Sequence, residues 1–408
     1  MEFEKLFRLL ESCRGIGKPM KITDIRHVTV PIESEMANAF INFSKMDVSV
    51  LAIETDEFRD GKRVIGYGFN SNGRYAQPGI LSHRVVPRVL EAEPESLINP
   101  ETGILDPELI WKAAMTNEKP GGHGDRAVAI GVLDMAAWDM AAKLAGKPVQ
   151  DLMAQTTGAG IGTPKEKVWV YAAGGYYYPG QGVDALQAEM LSYVDMGYRT
   201  VKMKIGGASL EADCERIEAV LKVLPEGVTL AVDANGRFDG KEAVRYGQAL
   251  SNYPLHWYEE PTDPLDFEGL RAVAETYEGV LATGENLLSR SEANNLVLYG
   301  GLRSDRDVLQ MDSALSYGFT EYQKTLADLA VNGWSAERCV PHGGHQFNLA
   351  IAAACGLGGS ESYPGIFEPF GGFADGIEVV DGYVGLPSVP GIGLEEKASL
   401  APILTQLQ

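Results

Sequence analysis

Three carboxylates stand at equal intervals through the middle of the chain: Asp233, Glu259 and Glu285. Each closes a short apolar run of strand character, TLAVD, LHWYE and LATGE in turn. At successive strand ends of a parallel barrel they would converge on one mouth and repel one another unless a cation stood among them. All-oxygen ligation favours a hard ion such as Mg²⁺, which keeps positions open for water or substrate oxygens. Lys202 and Lys204 alternate along the run TVKMKI and so face the same side of a strand. If that side is the barrel interior, two ammonium groups beside a metal depress each other's pKa and free one amine to act as a base. Asp312 and His342 close two further runs. An aspartate accepting from one imidazole nitrogen fixes the tautomer and raises the basicity of the other. Lysines on one side and a His–Asp pair on the other would place a proton-transfer group on each face of a bound substrate. Taken alone, any one of these carboxylates reads as a helix cap or surface charge. His345, in the same PHGGHQ run as His342, reads more readily as structural.

The elements that would hold these residues have two rhythms. From Met20 to about Asn70 the pattern is strand-like, with KITDIRHVTVPI, DVSVLAIETD and KRVIGYGFN separated by turn residues. Helical stretches follow over Pro107–Asn117 and Gly124–Ala145; Gly146 and Pro148 end the second. After the Gly/Thr/Pro-rich joint TTGAGIGTPKEK the rhythm becomes strand, loop, helix, repeated. Strands are expected at 168–172, 200–205, 229–234, 255–260, 281–285, 308–312 and 338–342, with an eighth near 360–368. The pattern predicts an α/β protein, a modified (β/α)8 barrel of the TIM type over 165–370. An α+β capping domain spans 1–150 and is completed by 371–408. No GxGxxG after a strand and no GxxxxGK[ST] supports a dinucleotide or phosphate loop.

The whole chain agrees with a small-molecule enzyme. Its 408 residues leave room for a large core, and 45% hydrophobic with 22% charged residues is a globular composition. A net charge of −21 argues against nucleic acid, since nothing would replace phosphate counterions. The same charge repels an anionic substrate, which must then be held by local cations or a metal. The four cysteines, Cys13, Cys214, Cys339 and Cys355, lack metal-like spacing and read as buried thiols in a reducing compartment. The charged, amphipathic N-terminus has no secretory core and no apolar run is long enough for a bilayer, so a cytoplasmic protein without membrane contact is expected. Barrel enzymes of this size often form homo-oligomers, but no feature of the chain decides the point.

The order of MAAWDMAAKLAGKP, KMK, VDANG, WYEEP and TGEN, followed by Asp312 and His342, resembles the mandelate racemase subgroup of the enolase superfamily over nearly the whole chain. The resemblance implies metal ligation by Asp233, Glu259 and Glu285, and acid/base work by Lys204 and by His342 paired with Asp312, with Lys202 tuning Lys204. In such sites magnesium stabilises an ene-diolate formed by a lysine or histidine base. Within the subgroup, NAFINFSKM, GYGFNSNGRY, NEKPGGHGDR, YAAGGYYYPG and CVPHGGHQ are similar to enzymes that dehydrate a small hydroxy-dicarboxylate, which implies D-tartrate as substrate and oxaloacetate plus water as products. It also implies substrate contacts from Asn38, Asn72, Lys119 and Tyr178, with Glu361 as a hydrogen-bonding acid at the substrate carboxylate. Lys119 would meet the second carboxylate, beyond the metal's reach. A racemase or epimerase would use the same two opposed groups. A dehydratase of a longer sugar acid would differ in its cap loops, and a non-catalytic binder of metal or acid would not need Lys204 or His342.

Overall fold

The computed structural model describes residues 20–408 apart from Glu33, Glu35, Thr157 and Pro179. The amphipathic N-terminus and Cys13 lie outside the described residues. Strands β1 (Ile22–Pro31), β2 (Asp47–Arg59) and β3 (Lys62–Phe69) form an antiparallel sheet in that order. Against β3 lies the 21-residue helix Asp125–Ala145, buried on nearly every side. Its alanines, together with Gly66 and Gly68 of β3, let the two backbones touch. A Cβ on Gly66 would stand 2.2 Å from the Ala136 carbonyl oxygen, and one on Gly68 2.3 Å from that of Val132. Any side chain there would force strand and helix apart.

The barrel follows. Strands β4 (Lys167–Ala173), β5 (Thr200–Lys204), β6 (Thr229–Asp233), β7 (Leu255–Glu259), β8 (Leu281–Thr283) and β9 (Val308–Leu309) pair in parallel, each with the next. β10 (Ser360–Ser362) pairs with β4 and brings the sheet round on itself. The seventh stave is not the strand expected at 338–342. A 3₁₀ turn occupies Ala336–Arg338, and a single bridge joins Cys339 to Leu309. Pro341 has no N–H to give a ladder. The stave is still stitched on both sides: the amides of Val340 and His342 donate to Leu309 and Gln310, and those of Gly358 and Glu361 donate to Cys339 and Pro341. The fifth and sixth strands are also shorter than expected. β8 stops before Gly284, whose φ of +117° is left-handed, and β9 stops before Gln310. The architecture is a modified (β/α)8 barrel with an α+β cap.

Cap and barrel are joined close to the barrel mouth. In the β1–β2 loop, Ala37 exchanges both backbone hydrogen bonds with Tyr177, which follows β4. The Asp139 carboxylate, on the long cap helix, accepts from the amides of Tyr67 and Ile392, which ties the C-terminal residues to the cap. The tail also carries β11 (Val379–Val380) and β12 (Tyr383–Gly385); β12 pairs antiparallel with β4. Of the cysteines described, Cys339 and Cys355 are buried and Cys214 is partly so; all three are free thiols.

Candidate active site

Register delivers the polar residues. Lys204 lies beside Asp233 across β5 and β6, and Asp233 beside Glu259 across β6 and β7. Asp233, Glu259 and Glu285 each offer a carboxylate oxygen, and the three lie within 4.8 Å of one another, all buried. Lys202, Lys204 and Glu361 surround them. The Lys202 ammonium, fully buried over the Tyr171 ring, pairs with Glu259, with Glu361 at 2.8 Å and with Asp233 at 3.4 Å. The Lys204 ammonium stands 2.5 Å from Asp233 Oδ2 and over the Tyr176 ring.

The centre has more negative charge than its cations balance. Burial, and then the adjacent Asp233, push Glu259 up to about 8. Glu285 Oε2 is buried with no hydrogen-bond partner among the described residues. Next to it Glu260, also buried, takes both of its hydrogen bonds from Asn286, which donates to Glu285 as well. An orphaned oxygen and crowded hard donors fit a divalent cation held by Asp233, Glu259 and Glu285.

The lysines do not behave as their spacing alone suggested. Burial favours the neutral amines, but it is overcome, for Lys202 by Glu259 and Glu361 and for Lys204 by Asp233, so both are raised. Two neighbouring ammonium groups count for less than the carboxylates wrapped around each.

On the other side of the site His342 Nδ1 lies 3.0 Å from Asp312 Oδ2. Burial tends to raise the Asp312 carboxyl, but the two histidines lower it strongly, so it is an acceptor and Nδ1 carries the proton. Asn348 holds the same aspartate through its other oxygen at 2.8 Å. His342 Nε2 lies 2.9 Å from the Tyr363 hydroxyl, 3.6 Å from Glu285 and 3.7 Å from Glu361. Burial opposes its charge, but Glu285, Glu361 and Asp312 raise it to about 10. His345 has a structural post. It is buried against Phe69, and its Nδ1 accepts the Asn348 amide at the start of helix Gln346–Ala354.

A cavity of about 210 Å³ opens over these groups. Lys204, His342, Glu285 and Tyr363 line its inner part, and Asn38, Asn72 and Arg74 reach it from the cap loops. Asn38 Oδ1 caps its own loop by accepting the amides of Phe40 and Ile41. Asn72 Nδ2 lies 3.4 Å from the Tyr363 hydroxyl. Lys119 and Tyr178 are not among the lining residues; Lys119 is exposed and its carbonyl accepts from Arg126. Glu361 is fully buried beneath His342, pairs with Lys202 and accepts the Gly343 amide at 2.8 Å. Burial opposes its charge, yet Lys202 and His342 bring it down to about 2, so it accepts hydrogen bonds instead of donating one. Glu260, Asn286 and Arg74 lie inside the runs WYEEP, TGEN and GYGFNSNGRY without being marked out by them, and Tyr363 lies in none of the quoted runs. Only the path of the chain brings them here.

Known proteins resemble this chain in sequence and in fold. Residues 185–399 match the family described as enolase C-terminal domain-like. Arabinonate dehydratase of Saccharolobus solfataricus is 30% identical over 360 residues, 85% of this chain and 88% of that one. L-talarate/galactarate dehydratase of Salmonella typhimurium is 28% identical over 74% of this chain and 71% of its own. In structure the chain is similar to L-talarate dehydratase of Polaromonas sp. JS666, crystallised with Mg and L-glucarate. The TM-score is 0.73 at 26% identity, over 92% of this chain and 94% of that one. A family match over more than half of the chain, with a relative this similar over most of both lengths, makes the protein a member of the enolase superfamily.

Proposed function

We propose that the protein is a magnesium-dependent hydro-lyase that dehydrates a small hydroxy-dicarboxylate, with D-tartrate the foremost candidate. The observation that carries this reading is that Lys204 and His342 line one cavity together with Glu285 of the carboxylate trio. The names of the relatives point the same way, to dehydration of sugar acids. The cavity lies below the 300 Å³ or so at which drug-sized pockets begin, which suits a short acid. We assign the cap to residues 1–150 with 371–408 and the barrel to 165–370.

Magnesium held by Asp233, Glu259 and Glu285 would supply positive charge that offsets the hold of Asp233 on the Lys204 ammonium and makes the α-proton of a bound carboxylate more acidic. Lys204 Nζ, freed as the neutral amine, takes the proton from C2. His342 Nε2 gives its proton to the C3 hydroxyl as the C3–O bond breaks, and water leaves. Asp312 keeps Nδ1 protonated throughout, so the proton that moves is the one on Nε2. The enol tautomerises to a 2-oxo acid, which is oxaloacetate from tartrate. Lys202 and Glu361 hold the floor of the site, while the cap loops with Asn38 and Asn72 orient the substrate and exclude water.

The test is a panel of four- to six-carbon hydroxy acids incubated with the protein and Mg²⁺, with 2-oxo acid trapped by semicarbazide. We expect signal from D-tartrate above the other acids. Signal from a longer sugar acid alone would move the substrate but leave the mechanism. Exchange of the C2 proton without any oxo acid would contradict dehydration and favour a racemase.

A further inference from the structure

Among the described residues three cationic side chains line the cavity, and two are already committed. Lys204 is paired with Asp233, and His342 sits between Asp312 and Tyr363. The third, Arg74, is half-buried in the loop after β3. Its one side-chain hydrogen bond runs from Nη1 to the Gly73 carbonyl at 3.0 Å, and it forms no ion pair among the described residues. Its backbone is held in place: Asn70 Nδ2 donates to the Arg74 carbonyl at 2.9 Å, while Asn70 Oδ1 accepts the Ser49 amide in β2. Asp263, which also lines the cavity, accepts the Leu265 amide and forms no ion pair with the guanidinium.

A guanidinium that lines an acidic protein's binding cavity, with no ion pair among the described residues, is suited to an anion, and its planar fork matches a carboxylate. A diacid held at the carboxylate trio by one end has a second carboxylate that must be discharged within the same small cavity. With a net charge of −21, the long-range field opposes that anion, so a local cation has to hold it. We propose that Arg74, and not Lys119, binds the second carboxylate and makes the site selective for diacids over sugar acids with one carboxylate. This rests on the reading of the cavity as a hydroxy-acid site.

The test is binding, in Mg²⁺, of L-malate, which has the C2 configuration of D-tartrate, and of L-2-hydroxybutyrate, its one-carboxylate counterpart. Neither acid has a 3-hydroxyl to lose. Wild type should favour L-malate. Arg74→Gln should weaken L-malate by roughly 10- to 150-fold and leave L-2-hydroxybutyrate within about threefold. Arg74→Lys should recover part of the loss, and Lys119→Ala should behave as wild type. Equal binding of the two acids by wild type, equal losses for both in Arg74→Gln, or a diacid-selective loss in Lys119→Ala would overturn the proposal. Oxo-acid formation from D-tartrate by wild type, followed in parallel, separates the two claims. A selective binding loss without turnover keeps Arg74 and removes the dehydratase; turnover with unchanged Arg74→Gln binding removes Arg74 alone.

Discussion

Lys204→Met is expected to lower 2-oxo acid formation by about 10²- to 10⁴-fold, and to lower solvent exchange of the substrate C2 proton by a similar factor. The amine both lines the cavity and lies against Asp233 of the carboxylate trio. Methionine keeps an unbranched apolar stem of similar length, so the packing against Tyr176 survives. The change also removes a positive charge from Asp233, which raises the local demand for a cation. Magnesium affinity should therefore hold or rise while activity disappears. Proton NMR in D₂O reads the exchange, and calorimetry reads the metal. Exchange at the wild-type rate in this variant would remove Lys204 from its role as base.

His342→Asn should separate two steps that the lysine variant loses together. Oxo-acid formation falls by about 10²- to 10⁴-fold, while exchange of the C2 proton continues within a few-fold of wild type. The reason is positional. Nε2 meets Tyr363 and faces Glu285, while Nδ1 is tied to Asp312, so the imidazole is held as a proton donor toward the cavity. Asparagine retains a polar contact with Asp312 but has no proton to give at a useful pKa. The carboxylates that raise His342 to about 10 keep it charged at neutral pH, which is the form an acid needs. Loss of exchange together with dehydration would show that the division of labour is wrong, because His342 would then be required for the first proton as well.

These residues could be read from the sequence because a barrel repeats its unit. Asp233 and Glu259 end successive strands whose parallel register sets them side by side, and Glu285 follows just past the end of the next, so their periodicity carries into space. The same logic reached Lys202, Lys204, Asp312 and His342. It overreached at residues 338–342, where a proline broke the ladder without breaking the barrel. For the lysines, spacing counts neighbours along a strand and not the carboxylates that face them from other strands. Loop residues are a different matter. Lys119 and Arg74 are both cations in glycine-containing loops, and no one-dimensional pattern tells which one lines the cavity. That depends on how β3 seats on the long cap helix, through Gly66 and Gly68, and on where the loop after it then runs.

The most direct test of the account is the rate of 2-oxo acid formation from D-tartrate by chelator-treated protein as Mg²⁺ is added back. The account predicts no oxo acid without metal and recovery that saturates at one ion per chain, the occupancy of one carboxylate trio. Oxo acid formed at the same rate with and without chelator would contradict it.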